Sequence, residues 1–279
     1  MRVVDTSVIT ETVREMCINT SRRLPDDVRG RMLAMAAEEE SENARRAFRQ
    51  LEENWKIAEE DDVPMCSDTG IAVLFVDVGD EVHFTGPHIR DAINEGVRQG
   101  FKAAWCRSST THPFTRINTG DNTPATIHFD IVPGDKVRIG FMAKGGGSES
   151  MSMLEMVTPS EGWEGVKKRV LKRVAEAGPN PCPPIVVGIG VGGNFEMSAI
   201  LAKKGFLRKI DDVNPDPDLA AKEAELLAEI NKLGIGPMAL GGKSTCMGVK
   251  IAIFPCHIAT FPVAINIQCH TARHTEVEI

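Results

Sequence analysis

The sequence lacks a long apolar run, an excess of basic charge and any closely spaced pair of cysteines. Its longest strongly apolar stretch, residues 185–191, is too short to span a bilayer, and no apolar segment follows a basic start at the N-terminus. We therefore expect a cytoplasmic protein that does not interact with a membrane. The formal net charge of -7 excludes a general basic surface, so nucleic acid is not an expected partner.

The seven cysteines form an odd-numbered set that is scattered over the whole sequence. This distribution argues against a secreted disulfide framework, and the absence of a CxxC pair excludes zinc-ribbon, ferredoxin-like and thioredoxin-like motifs. We expect reduced thiols or metal ligands instead. Any metal site in this chain must gather cysteines that lie far apart in the sequence.

The pattern of apolar residues and turn residues predicts a mixed α/β fold (α+β) with mixed sheets. Residues 1–60 read as a helical N-terminal cap, and residues 61–279 as an α/β body that forms one continuous domain with it. Further helices are predicted at 88–104, 160–177, 195–204 and 219–233. Strands are predicted at 71–78, 126–131, 136–142, 185–188, 249–254 and 262–268. The strands at 126–131 and 136–142 should form a hairpin, and a glycine loop should follow residue 188.

Two segments have part of the pattern of a nucleotide site. The segment GIGVGG at 188–193 has the spacing GxGxxG, but the acidic residues at the right distance, Asp211 and Asp212, lie in a polar, proline-rich stretch. The segment GKS at 242–244 resembles the end of a P-loop, but Pro237 stands where the first glycine is required. A nucleotide-binding oxidoreductase that uses GIGVGG is therefore an alternative from a different class, and a non-catalytic scaffold subunit is a third.

A larger, ordered set of motifs carries a resemblance to a known family. The motifs are PMCSDTG (64–70), NTGDNTPA (118–125), KGGGSES (144–150), CPPIVVGIGVGGN (182–194), GIGPMALGGKS (234–244) and CHIATFPVAINIQC (256–269). Together they resemble the class I, iron-sulfur fumarate hydratases and the alpha subunits of L-tartrate dehydratases. The resemblance covers most of the chain from about residue 64 onward.

The resemblance implies a [4Fe-4S] cluster held by three cysteines, which correspond to Cys66, Cys182 and Cys269. Three thiolates leave one iron of the cluster open, and an open iron can act as a Lewis acid toward a substrate hydroxyl or carboxylate group. The other four cysteines are expected to be structural.

The family pattern also implies the residues that act on the substrate. The resemblance implies that Asp68 and His257 are the proton-transferring groups. A carboxylate and an imidazole are both suited to moving the protons of a hydration. Arg107 is the expected carboxylate clamp. Lys144 and the backbone of Gly147 are expected to contribute further to substrate binding.

The resemblance implies a partner chain as well. Single-chain members of the family continue into a second domain, whereas this sequence stops soon after Cys269, so we expect a beta subunit and an α2β2 or dimeric assembly. The implied reaction is the reversible hydration of a small dicarboxylate. Fumarate and malate are the first expected substrates, with L-tartrate or mesaconate as the alternatives.

Overall fold

The computed structural model describes residues 1–279 and confirms the mixed α/β class. Its strands are β1 (Arg2–Asp5), β2 (Ile71–Gly79), β3 (Val82–Thr85), β4 (Thr126–Val132), β5 (Val137–Lys144), β6 (Met153–Met156), β7 (Ile185–Gly192), β8 (Cys246–Phe254), β9 (Pro262–Gln268) and β10 (His274–Glu278). Its helices are α1 (Thr6–Arg22), α2 (Asp26–Glu38), α3 (Glu42–Glu60), α4 (Ile89–Ala103), α5 (Gly146–Glu149), α6 (Gly162–Ala177), α7 (Phe195–Lys204) and α8 (Pro217–Asn231). No helix is both long and apolar enough to cross a membrane.

The chain divides into two compact units, and each of them combines distant parts of the sequence. The first unit contains Met1–Pro25, Glu53–Gly146 and Arg273–Ile279, and the second contains Asp26–Glu52 and Gly147–Ala272. The helical segment predicted for residues 1–60 is present as three helices. It is shared between the two units, because α1 belongs to the first and α2 to the second.

The first unit is built on a four-stranded sheet in the order β10-β5-β2-β4. The predicted hairpin between residues 126–131 and 136–142 is wrong, although both strands exist. β2 lies between them and pairs with β4 in parallel and with β5 in antiparallel orientation. The reason is that β2 is a strongly apolar strand with five consecutive buried residues, which favours an interior position of the sheet, between β4 and β5.

The end of β2 shows how the chain crosses from β4 to β5. The connection passes directly over Gly79, where a Cβ atom would lie 2.3 Å from the carbonyl oxygen of Gly134. The backbone N–H of Gly79 donates to the carbonyl oxygen of Lys136, and that of Asp80 donates to Val132. A glycine at position 79 is thus required for β2 to fit between its two neighbours.

Helices α1 and α4 cover one face of this sheet and approach each other closely. A Cβ atom at Gly96 would lie 2.6 Å from the carbonyl oxygen of Thr10, and one at Gly100 would lie equally close to that of Arg14. Small residues therefore let the two helix backbones approach. The core below them contains Ile9, Ile93, Phe101, Leu74, Ile139 and Phe141, all fully buried.

The second unit contains a four-stranded sheet in the order β6-β9-β7-β8. β7 pairs with β8 in parallel and with β9 in antiparallel orientation. Helices α6 and α8 pack on a core that includes Val170, Val187, Ile189, Leu226 and Ile267. β9 has the bounds predicted from the sequence.

The glycine loop predicted after residue 188 is wrong, because β7 continues through it to Gly192. Gly188 and Gly190 lie inside this strand under α7. A Cβ atom at Gly188 would lie 2.0 Å from the carbonyl oxygen of Ala202, and one at Gly190 would lie 1.9 Å from that of Ser198. The GxGxxG spacing therefore serves close packing between helix and strand and does not form a phosphate-binding loop.

The other nucleotide-like features also have structural partners within the second unit. The backbone N–H groups of Lys243 and Ser244 donate to the carboxylate of Glu39, which is 1% exposed. The carboxylate of Asp212 accepts hydrogen bonds from the buried Lys250 and from Arg208. The backbone of the GKS segment and the carboxylate of Asp212 therefore have partners inside the fold.

Candidate active site

The first unit gathers several motif residues at one edge of its sheet. The register places Ile71, at the start of β2, opposite Lys144, at the end of β5, and His274, at the start of β10, opposite Met142. The segment CSDTG, the segment KGG and Arg273, which directly precedes β10, therefore meet at this edge. Gly70 lies at their junction with a positive φ of 78°, and a Cβ atom there would lie 2.7 Å from the carbonyl oxygen of Lys144.

Asp68 is held in this junction by backbone hydrogen bonds to both oxygens of its carboxylate. The N–H of Gly70 donates to Oδ1 at 2.9 Å, and the N–H of Gly146 donates to Oδ2 at 2.8 Å. The first bond closes a local turn, and the second joins the CSDTG and KGG segments. Asp68 is half-buried, and its carboxylate has a fixed direction.

Arg107 is joined to two of the family motifs through its backbone. Its carbonyl oxygen accepts a 2.6 Å hydrogen bond from the hydroxyl of Thr69 and a 3.3 Å bond from the side-chain amide of Asn122. Both donor residues are almost fully buried, whereas the side chain of Arg107 is exposed. The loop that carries this arginine is therefore fixed, and its guanidinium group is accessible to a carboxylate. Sequence reasoning missed Thr69 and Asn122, which lie inside the quoted motifs.

Two cationic residues are buried in the same unit. Lys144 and Arg273 are each 1% exposed, and Arg273 donates from Nη2 to the carbonyl oxygen of Asp68 at 2.8 Å. Lys144 was predicted from the sequence as a substrate contact. Arg273 was not, because a single basic residue at the start of a short final strand gives no signal.

The second unit brings two of the three predicted cluster ligands to the same edge of its sheet. Cys182 precedes β7 and Cys269 follows β9, and the antiparallel register sets Val186 opposite Gln268. The backbone N–H of His270 donates to the carbonyl oxygen of Cys182 at 3.2 Å. The two cysteines therefore flank a single pair of strands.

The backbone around these two cysteines is tightly turned. Cys182 has a positive φ of 53°, which is uncommon for a residue other than glycine. The N–H of Ala272 donates to the carbonyl oxygen of Cys269, and the thiol of Cys269 lies 3.0 Å from the hydroxyl of Thr271. Both side chains are partly exposed.

The seven cysteines are all free thiols, and their surroundings differ in a way that separates them into groups. Cys66, Cys182 and Cys269 are partly exposed. Burial raises the pKa of Cys17 and raises that of Cys246 to about 12, which disfavours the thiolate needed for metal binding.

Two further cysteines are also distinct from the predicted ligands. Burial raises the pKa of Cys106, although a hydrogen bond with Ser21 and the charges of Arg273 and Arg22 oppose this rise. Cys256 is exposed, and its thiol donates to the carbonyl oxygen of Thr260. Cys66, Cys182 and Cys269 are therefore neither buried, as Cys17 and Cys246 are, nor exposed, as Cys256 is.

The donor set fits an iron-sulfur cluster. The thiol of Cys66 accepts a hydrogen bond from the N–H of Asp68 at 3.4 Å, and N–H donors of this kind stabilise cluster thiolates. No three His, Cys, Asp or Glu side chains converge on the position of a single metal ion.

The structure places His257 away from Cys182 and Cys269. His257 lies in the exposed loop between β8 and β9, and its Nδ1 accepts a hydrogen bond from the N–H of Ala259. Cys269 follows the other end of β9. The 7 residues of this strand span about 20 Å, so His257 and the two cysteines lie at opposite edges of the same sheet.

Gly147 lies at the beginning of the short helix α5 and is exposed. A Cβ atom at this position would lie 2.9 Å from the carbonyl oxygen of Asn180, so a larger residue would displace the segment that precedes Cys182. Gly147 therefore has a packing role within the second unit. Its predicted contact with a substrate carboxylate stays a prediction.

The chain is similar to known proteins over nearly its whole length. The family model described as Fumarate hydratase (Fumerase) matches residues 10–278. A protein of Methanocaldococcus jannaschii named "Putative L(+)-tartrate dehydratase subunit alpha" is 42% identical over 279 residues, which cover 98% of this chain and 96% of that protein. The L(+)-tartrate dehydratase subunit alpha of Escherichia coli strain UTI89 is 32% identical over 275 residues, covering 97% and 90%. That of Escherichia coli O157:H7 is 33% identical over 269 residues, covering 95% and 88%. The chain belongs to the class I fumarate hydratase family of hydro-lyases.

Proposed function

We propose that the chain is the alpha subunit of a [4Fe-4S]-dependent hydro-lyase that reversibly hydrates a small dicarboxylate, with fumarate and malate as the first substrate pair. The observation that supports this most directly is the position of the cysteines. Cys182 and Cys269 flank one pair of strands, and Cys66 precedes the central strand of the first unit, each within a family motif.

In this proposal Cys66, Cys182 and Cys269 hold the cluster. When bound, the cluster supplies an open iron that polarises a hydroxyl or carboxylate oxygen of the substrate. The chain contributes rigid supports for the three thiols: the N–H of Asp68 at Cys66, the N–H and ring of His270 at the carbonyl of Cys182, and the hydroxyl of Thr271 at Cys269.

A dicarboxylate carries two negative charges, and the chain itself has a net charge of -7, so binding requires local cations. We assign Arg107 as the carboxylate clamp, because its side chain is exposed while its backbone is fixed by Thr69 and Asn122. Lys144 and the backbone of Gly147 are the further groups proposed for substrate binding. A guanidinium can bind a carboxylate through two parallel hydrogen bonds, which also orients the substrate.

Hydration adds a hydroxyl group and a proton across a double bond, so the site needs one proton acceptor and one proton donor. Asp68 is proposed for one of these roles, because two N–H donors fix its carboxylate and it follows Cys66 by two residues. His257 is the second proposed group. Since it lies at the opposite sheet edge from Cys182 and Cys269, we propose that it serves a site completed by another subunit.

The proposed partner is a beta subunit in an α2β2 or dimeric assembly. The supporting observation is that the relatives with 32–42% identity are named as alpha subunits and have nearly the length of this chain. We expect the isolated chain to bind the cluster and to have little activity until a beta subunit is added. We also propose that the complex works in the reducing cytoplasm, where unpaired thiols persist.

L-Tartrate is the second candidate substrate, because the relatives are named L(+)-tartrate dehydratase subunit alpha. Mesaconate is the remaining alternative. The test is to co-express the chain with a beta-type subunit, reconstitute the complex anaerobically, and measure kcat/KM for fumarate, malate, L-tartrate and mesaconate. Turnover of one of them, abolished in Cys182→Ala, supports the proposal. A complex that contains the cluster but converts none of the four would contradict the dicarboxylate assignment.

A further inference from the structure

Arg273 is the largest fully buried side chain of the protein, with 1% of its surface exposed. Its Nη2 atom donates to the carbonyl oxygen of Asp68 at 2.8 Å, while its Nε atom is buried and has no hydrogen-bond partner. A buried guanidinium with an unused donor is costly, because both its charge and its N–H group have lost contact with water.

The surroundings of Arg273 belong to the same group of motif residues. The carbonyl that it holds lies between Cys66 and Thr69, and Thr69 in turn donates to the carbonyl oxygen of Arg107. Burial raises the pKa of the nearby Cys106 thiol, and the charge of Arg273 is among the influences that oppose this rise.

The only partner that the structure gives the guanidinium is a neutral carbonyl, and no carboxylate neutralises it. Buried cations are retained where an anion compensates them. A [4Fe-4S] cluster with three thiolate ligands is a net anion, and so is a dicarboxylate.

We propose that Arg273 is a positioning residue for the cluster. It fixes the loop that carries Cys66 by holding the carbonyl oxygen of Asp68, and its buried charge compensates the negative charge that the thiolates bring. This inference rests on the proposed function, because it requires a cluster at Cys66. The two roles differ in what they need: the first needs a donor that reaches Asp68, and the second needs the charge.

Three variants separate these roles. Arg273→Gln keeps an N–H donor and removes the charge, whereas Arg273→Lys keeps the charge and loses the planar donor group. Lys250→Gln is the matched control, because Lys250 is a cation of similar burial, 2% exposed, whose carboxylate partner is Asp212. Each chain is reconstituted anaerobically with iron and sulfide. The midpoint potential of the cluster and its rate of iron loss to a chelator are then measured.

We expect a more negative potential in Arg273→Gln, because removing a nearby positive charge disfavours the reduced cluster, and a potential close to wild type in Arg273→Lys. Iron loss should be about tenfold faster or more in both variants, since second-shell partners of metal ligands typically contribute this much to affinity. Lys250→Gln should change neither value, even if it unfolds at a lower temperature. A wild-type potential and wild-type iron retention in Arg273→Gln would overturn the proposal.

A second measurement uses the chain without the cluster. Hydrogen exchange of the amides of residues 67–70 should be faster in Arg273→Gln and Arg273→Lys than in wild type, and unchanged in Lys250→Gln. If wild type forms no cluster, the proposed function fails, and unchanged exchange in the Arg273 variants would separately refute the positioning role. If Arg273→Gln does not fold, Arg273→Lys decides through iron loss and hydrogen exchange, the two measurements in which it should differ from wild type.

Discussion

The ring Nδ1 of His270 lies 3.0 Å from the carbonyl oxygen of Cys182, which also accepts the backbone N–H of His270. This double contact connects the turn before β7 with the turn after β9. One histidine thereby fixes the backbone of Cys182 and lies next to Cys269 in the sequence. It thereby links the backbone segments that carry both predicted ligands.

We predict that His270→Ala weakens cluster retention without removing any cluster ligand. The variant loses the ring contact with Cys182 but keeps the backbone bond, so the reconstituted cluster should release iron roughly tenfold faster. His270→Asn is the matched variant, because its side-chain amide can replace the donor at Nδ1. Iron release measured with a chelator checks this, and equal rates for His270→Ala and wild type would contradict it.

The hydroxyl of Thr69 positions Arg107, and we expect Thr69→Val to show this role. The substitution keeps the shape of the side chain but leaves the Arg107 carbonyl without its 2.6 Å donor, at a cost of about 1–3 kcal/mol in unfolding free energy. KM for the dicarboxylate should rise, because the clamp becomes less well fixed. Thr69→Ser keeps the donor and should retain the wild-type KM. A normal KM in Thr69→Val would show that Arg107 does not depend on this bond.

Because Gly188 and Gly190 of GIGVGG pack closely against α7, adding one methyl group there should strongly lower the free energy of unfolding. Gly190→Ala places a methyl group 1.9 Å from the carbonyl oxygen of Ser198, so α7 must move away from β7. We expect a loss of about 3 kcal/mol or more in unfolding free energy. Gly30→Ala is the control, because no atom lies within 4 Å of its Cβ and alanine favours the helix, which should stabilise the chain by roughly 0.5–1 kcal/mol. Chemical denaturation of both variants tests the contrast.

This glycine segment also shows where sequence reasoning reached its limit. The helix at 195–204 and the apolar run at 185–188 were predicted correctly, but the strand was ended four residues early because glycine usually marks a turn. Glycine is required by the contact with α7, and the local sequence does not indicate which helix will pack on a strand. The hairpin at Pro133 failed for the same reason, since the insertion of β2 between β4 and β5 is a long-range pairing.

Short motifs suggested most of the candidate site residues, and the fold determines which of them lie near one another. Cys182 and Cys269 were chosen from motifs, and the antiparallel register of β7 and β9 places them at one sheet edge. His257 was chosen from the same motif as Cys269, and the same register places it at the opposite edge. Arg273, which lies outside every motif, could be found only from its burial and its bond to Asp68.

We predict that Glu39 makes the stability of the protein depend on pH in the acidic range. Its burial raises the pKa of the carboxyl, but hydrogen bonds from Ser244 and from the N–H groups of Ser41, Glu40 and Lys243 outweigh this and lower it below 4.5. Because the folded-state pKa is the lower one, the stabilisation is fully present above the unfolded pKa and is lost as the pH falls through the folded pKa.

Glu39→Gln should therefore be less stable than wild type at neutral pH by about 3 kcal/mol, and the difference should shrink below pH 4.5. The control is Glu40→Gln, whose carboxylate pairs with Lys243 at the surface and is 83% exposed. We expect a much smaller change there. Denaturation midpoints at several pH values measure both variants, and a difference for Glu39→Gln that does not vary with pH would contradict this account.

The most direct test of the central claim is the iron content of the chain after anaerobic reconstitution, compared between wild type, Cys66→Ala, Cys182→Ala, Cys269→Ala and Cys256→Ala. Cys256 is the matched control, because it is a free, exposed thiol next to His257. We predict about four irons per chain and the visible absorption of a cubane cluster in wild type and Cys256→Ala. Each of the other three variants should lose the cluster while still folding. Wild-type iron content in any of those three, or no cluster in wild type, would contradict the assignment of Cys66, Cys182 and Cys269 as its ligands.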